Sequence, residues 1–144
     1  PMATFDLEQC LAFVTHQVSK VLADAFNERL KKHGITRAQW IALYYLRREK
    51  PMSQRELAQL LGVQDSSLAR LIERLEREEW IARQRDTKDK RILLVRLTRK
   101  GRRTIDRLLP QGEAMSRAFS AGISDEEMEV FQRVLARLVD NAAS

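Results

Sequence analysis

A mainly α-helical fold carrying one small β-hairpin follows from three observations. Apolar residues recur at helical spacing along most of the chain, helix-start patterns stand before several of those segments, and residues 81–97 hold two short apolar runs around a charged tip. Within the second run, Leu93, Val95 and Leu97 fall on one face of a strand, because side chains alternate sides with a period of two. The hairpin therefore has a buried side, and its tip, Arg85-Asp86-Thr87-Lys88-Asp89-Lys90-Arg91, points outward.

The other elements follow in order. Leu7, Leu11, Val14, Val18, Val21 and Ala25 alternate steps of four and three, a narrow seam on a long first helix that Gly34 closes. Thr36-Arg37-Ala38-Gln39 has the form of a capping box and opens a second helix through Trp40, Leu43, Tyr44 and Leu46, stopping before Pro51. Ser53-Gln54-Arg55-Glu56 starts a short helix with Leu57, Leu60 and Leu61 inside, ended by Gly62. Residues 63–80 carry Leu68, Leu71, Ile72 and Leu75 as a buried stripe. Beyond the hairpin, a helix with Ile105, Leu108 and Leu109 is expected to bend at Pro110. Ser124-Asp125-Glu126-Glu127 then opens a last helix bearing Met128, Phe131, Val134, Leu135, Leu138 and Val139.

Composition bounds the function. A chain of 144 residues is long enough to bury a core without staples and is expected to form a single domain, residues 1–144. Cys10 is the only cysteine, so no internal disulfide can form, and a reducing, cytoplasmic setting is expected. The longest apolar runs, such as residues 41–46, fall far short of a membrane span, so no membrane partner is expected. His16 and His33 are the only histidines, and neither a Gly-rich phosphate loop nor a nucleophile motif is present. No enzyme, metal or cofactor is therefore expected. Residues 64–103 hold 13 Lys and Arg against 7 Asp and Glu, so the whole net charge of +6 sits in that segment. Such clustering is the footprint of a polyphosphate partner, whose condensed counterions are released on binding.

Residues 53–61 and 63–77 form two helices joined by a tight glycine turn, and a hairpin follows at once: a winged helix-turn-helix. On the second helix Ser67, Arg70, Arg74 and Arg77 make a polar stripe distinct from the apolar one, with Gln64, Ser66 and Ser67 at its first turn. Taken alone, that stripe is also what a solvated, arginine-rich helix shows; the adjoining basic hairpin favours the groove reading. The apolar stripes at both chain ends lie outside this lobe and call for a partner surface, which favours a homodimer over packing of the two terminal helices on each other within one protomer.

The motifs Ser53-Gln54-Arg55-Glu56-Leu57-Ala58, Ser67-Leu68-Ala69-Arg70, Asp86-Thr87-Lys88-Asp89-Lys90-Arg91 and Leu97-Thr98-Arg99-Lys100-Gly101 resemble the MarR/SlyA family of bacterial transcriptional regulators. The resemblance implies a homodimeric winged helix-turn-helix protein bound to a pseudo-palindromic duplex DNA operator. The DNA-binding lobe would be residues 36–100, and residues 5–33 and 101–142 the helical dimerisation region. It assigns DNA contacts to Gln54, Gln64, Ser66, Ser67, Arg70, Arg74, Lys88, Lys90 and Arg91, with Asp89 bracing the wing. In the minor groove Lys90 would be the probe. It also implies a regulator, usually a repressor, whose operator binding is modulated by a small aromatic or phenolic anion. Lys20, Trp40 and Tyr44, with His16 one turn before Lys20, match positions facing the effector cleft of salicylate-responsive relatives. Trp40 and Tyr44 at helical spacing fit a core role equally well. Cys10 stands out of register with the reactive cysteine of the peroxide-sensing branch. The rival classes are an RNA-binding winged helix and a protein–protein adaptor.

Overall fold

The computed structural model describes residues 4–48 and 50–144, so residues 1–3 of the expected domain, and Glu49 within its lobe, lie outside the described residues. After a 3-10 turn at Leu7–Gln9, the order is α1 (Leu11–Lys31), α2 (Arg37–Arg48), β1 (Met52–Ser53), α3 (Gln54–Leu61), α4 (Asp65–Arg77), β2 (Ile81–Arg85), β3 (Leu93–Leu97), α5 (Arg99–Phe119) and α6 (Asp125–Ala143). Two compact units result, one reaching to Gly112 and the other spanning Glu113–Ser144.

Local chemistry explains most boundaries. The Thr36 N–H donates to Gln39 Oε1 at 2.9 Å and the Gln39 N–H to Thr36 Oγ1 at 3.1 Å, the reciprocal box that starts α2. Ser53 Oγ accepts from the Glu56 N–H and caps α3. At the other end Gly62, at φ +67°, donates to Gln59 O while Val63 donates to Ala58 O, a Schellman closure that needs a left-handed residue. The same closure ends α4, with Trp80 donating to Leu75 O, but there the left-handed residue is Glu79, at φ +61°. Ser124 and Glu127 cap each other and open α6.

The core of the larger unit lies where α1–α5 meet the sheet. It includes Phe26 and Leu30 of α1, Leu43 of α2, Leu57 of α3, the Leu68/Leu71/Ile72/Leu75 stripe of α4, Trp80, Val95, and Ile105 and Leu108 of α5. With α3 and α4 joined at Gly62 and the β2–β3 hairpin following, this unit is a winged helix-turn-helix. The hairpin's apolar side is as expected, Val95 buried and Leu93 and Leu97 half-buried.

Several expectations require correction. The first helix does not include Leu7: Asp6 caps a separate short turn and Cys10, in extended conformation, separates it from α1. Leu60 is 41% exposed rather than inside, and Ala58 takes the buried place beside Leu57, because so short a helix turns only one narrow face to the core. Arg85 belongs to β2, paired with Leu93, and Ile92 to the tip. The sheet also has a third strand: Met52 pairs with Val95 and Ser53 with Leu94, giving the order β1-β3-β2. A two-residue strand is too short to show alternation, so it leaves no periodic signal. Helix α5 runs from Arg99 to Phe119 through Pro110.

Candidate nucleic-acid interface

Helix α4 is divided as its sequence pattern requires. Its apolar stripe is buried, which leaves Ser66, Ser67, Arg70, Arg74 and Arg77 exposed. Gln64 is the N-cap residue of α4 but makes no side-chain capping bond, so its amide is left for other partners. The helix is thus held rigidly by one face while donors and acceptors of the other stand free.

The wing tip is organised by its own acids. Asp86 Oδ1 accepts from the Lys88 N–H at 3.1 Å, an Asx turn. Asp89 accepts three bonds from Arg91, from its backbone N–H at 3.1 Å and from Nε and Nη2 at 3.0 Å each. Arg85 Nη1 donates to Lys90 O at 3.1 Å and ties the strand to the tip. Lys88 and Lys90 remain exposed, and the Arg91 side chain is 90% exposed although paired, so the tip presents its cations on a constrained loop. The expected bracing role of Asp89 thus has a matching geometry, which Arg85 and Asp86 extend.

These bonds to Arg91, the side-chain pair first and the backbone amide second, hold the Asp89 carboxyl below its ordinary value. Because the folded-state value is depressed, the bracing is complete at neutral pH and is lost only as pH falls through that depressed value. Carbon-detected NMR titration should place the Asp89 midpoint below the usual ~3.9 of a free aspartate. A midpoint at or above that value would show that the brace does not form in solution.

One residue of the candidate interface was not legible in the sequence. Arg83 of β2 donates to Glu76 Oε1 of α4 at 2.8 Å and to Gln54 Oε1 of α3 at 3.3 Å, joining the wing to both helices and orienting Gln54. No local periodicity links these positions; only the opposite charges of Arg83 and Glu76 hinted at it.

The proposed effector residues divide into two groups. Trp40 and Tyr44 stack with ring centroids 5.8 Å apart and planes 7° apart, and Phe26 meets Trp40 edge-on at 5.3 Å. The Trp40 indole N–H donates to Leu108 O at 2.8 Å, and the ring lies against Gly112, so Trp40 also serves the packing of α2 on α5. Arg48 places its guanidinium 5.0 Å from the Tyr45 ring and 5.7 Å from that of Tyr44, a cation the sequence reading did not single out. His16 and Lys20 are exposed one turn apart on α1.

With this geometry established, comparison with known proteins is decisive. A family model described as "MarR family" matches residues 33–92, from just beyond α1 to the wing. The HTH-type transcriptional regulator YwoH of Bacillus subtilis is 32% identical over 119 residues, which cover 83% of this chain and 86% of YwoH. The chain belongs to the MarR family of transcriptional regulators. Among solved structures, this MarR-family regulator is similar to a probable transcriptional regulator from Pseudomonas aeruginosa, with a TM-score of 0.83 and 30% identity over 92% of this chain and 99% of that one. It is also similar to PcaV of Streptomyces coelicolor, solved in complex with its natural ligand, with a TM-score of 0.79 and 27% identity over 98% and 99% of the two chains. In this regulator no helix among the described residues is long and apolar enough to cross a membrane.

Proposed function

We propose that this MarR-family regulator acts as a homodimeric repressor that binds a pseudo-palindromic duplex operator, with α4 in the major groove and the β2–β3 wing in the minor groove. The observation that carries the reading is the exposed Ser67/Arg70/Arg74 face of a helix anchored by a fully buried stripe, beside a braced cationic wing. Gln54, Gln64, Ser66 and Ser67 supply permissive polar readers, Arg70 a bidentate donor, and Arg74, Lys88, Lys90 and Arg91 the cations for backbone and minor groove.

Dimerisation is supported by apolar side chains left uncovered in each unit. Leu11, Val18 and Val21 of α1 are 58%, 49% and 66% exposed, while Phe131 and Val134 of α6 are 53% and 49% exposed and no residue of α6 is buried. Helices with such unpartnered rows gain about 1.5–3 kcal/mol for each large side chain fully covered. Light scattering at micromolar concentration should give twice the 16.8 kDa chain mass, and Phe131→Asp with Val134→Asp should reduce it. Mobility shifts should show tightest binding to an inverted repeat with half-sites about one helical turn apart. A monomeric wild type, or competition by duplex RNA as effective as that by duplex DNA, would refute the reading.

The effector in this proposal is a small aromatic carboxylate or phenolate held by Lys20 and His16 against the Trp40/Tyr44 stack. Support comes from the ring pair itself, a flat π surface with the Arg48 guanidinium 5.7 Å from the Tyr44 ring, and from the ligand-bound state of PcaV. An effector acts by its differential affinity for the DNA-incompetent state, and typical coupling predicts roughly 5- to 150-fold weaker operator binding at saturation. Titrating salicylate-like anions against wild type and Lys20→Ala should show that release needs Lys20; equal release from both proteins would move the site elsewhere.

A further inference from the structure

Beneath the junction of α1 and α2 lies a cavity of about 510 Å³ whose walls include Asn27, Glu28, Lys31, Thr36, Arg37 and Arg74. Three cations from three elements converge on it: Lys31 ends α1, Arg37 begins α2, and Arg74 stands on the outer face of α4. Glu28 is its only carboxylate, so the lining carries a net charge of two positive. Among the described residues, none of the three cationic groups makes an ion pair or a side-chain hydrogen bond. Concave excess charge of this kind is self-repulsive unless an anion shares it. The wall is also stiff, because Asn27 Oδ1 holds the Arg37 backbone N–H at 2.7 Å and Gln39 Oε1 holds that of Thr36.

The position of the cavity identifies its occupant. Arg74 shares the α4 face of Ser67 and Arg70, and seven residues at 1.5 Å each put it about 10 Å along the helix from Ser67. The major groove is about 12 Å wide, so when Ser67 reaches base edges, Arg74 stands at the wall of the groove, where phosphates lie. Lys31 and Arg37 continue the cationic surface beyond it.

We infer that Lys31, Arg37 and Arg74 form a clamp for a DNA backbone phosphate at the edge of each half-site. The inference rests on the DNA-binding reading above and extends its footprint to the α1–α2 junction. The clamp supplies affinity and register but no base discrimination.

The test compares the wild type with Lys31→Gln/Arg37→Gln, after melting and light scattering have shown both to be folded and equally assembled; Arg37→Lys serves as the charge-retaining control. The double variant is expected to bind operator and random duplex more weakly by the same factor, on the order of tenfold at moderate salt. Its plot of log K against log salt should be shallower by about one unit, because one phosphate contact is lost. Ethylation of the flanking phosphate should interfere with wild-type and Arg37→Lys binding but not with binding by the double variant. An unchanged slope and interference pattern, or a loss confined to the operator, overturns the clamp. Should inorganic phosphate shift the amide resonances of Thr36 and Arg37 while the DNA slope is unchanged in the double variant, the cavity takes a free anion and the clamp is likewise overturned. Retained operator binding in the double variant together with its loss in Arg70→Ala would end the clamp alone, whereas a wild type that binds no duplex DNA would end both proposals.

Discussion

Gly101→Ala is expected to destabilise the protein by about 2–3 kcal/mol and to weaken DNA binding with it. A Cβ at Gly101 would overlap the Trp80 carbonyl oxygen and sit 2.8 Å from its carbon and 3.1 Å from Leu97 Cδ2. The close approach is built by Thr98, whose N–H donates to Trp80 O at 3.0 Å and whose hydroxyl donates to Glu79 O while accepting from the Gly101 N–H at 3.0 Å. One residue thus welds the end of α4, the base of the wing and the first turn of α5. Alanine would gain up to ~1 kcal/mol of helix propensity over glycine, but the obstacle is backbone and cannot swing away, so overpacking wins. Gly112→Ala provides the contrast: its Cβ would lie 2.7 Å from the Trp40 ring, a side chain that can tilt, and the cost should be smaller. A fall in melting temperature on the order of 5–10 °C is expected for Gly101→Ala. A change of less than a degree in thermal denaturation would show that the Trp80–Gly101 approach is not tight in solution.

Arg70→Ala is expected to cost about 1–3 kcal/mol of operator affinity while leaving the melting temperature unchanged, since the side chain is exposed and lies outside the buried stripe of α4. Arg91→Ala should cost a similar amount by a different route, because it removes a cation and releases Asp89 from the brace. Asp89→Asn separates the two contributions: the charge of Arg91 stays, the bidentate acceptor is lost, and the affinity should fall between that of wild type and Arg91→Ala. Loss at Arg70 should be concentrated on the cognate sequence, whereas loss at Arg91 should extend to random duplex. Mobility shifts that match wild type for both Arg70→Ala and Arg91→Ala would remove α4 and the wing from the DNA interface.

What the amino-acid sequence determined by itself were the features governed by neighbours within about four residues. The period of Leu68, Leu71, Ile72 and Leu75 divided α4 into a buried and a free face, and the polar residues of the free face were legible for the same reason. The boxes at Thr36–Gln39 and Ser124–Glu127 placed helix starts because a cap and its amide lie three residues apart. The charged tip marked the wing, and Asp89 turned to Arg91 two residues away.

Tertiary structure alone decided whatever joins distant segments. Strand β1 exists because Met52 meets Val95, not because two residues prefer extended backbone. Gln54 is oriented by Arg83, 29 positions on, and the Trp40 indole is committed to a carbonyl 68 positions away, which gives a residue read as an effector contact a packing role as well. Gly101 is required by the carbonyl of Trp80, and Leu60 is excluded from the core by the direction in which α3 happens to face. Periodicity and capping act through bonds along one helix, while these pairings depend on which surfaces the folded chain brings within 3–4 Å, and no local pattern encodes that proximity.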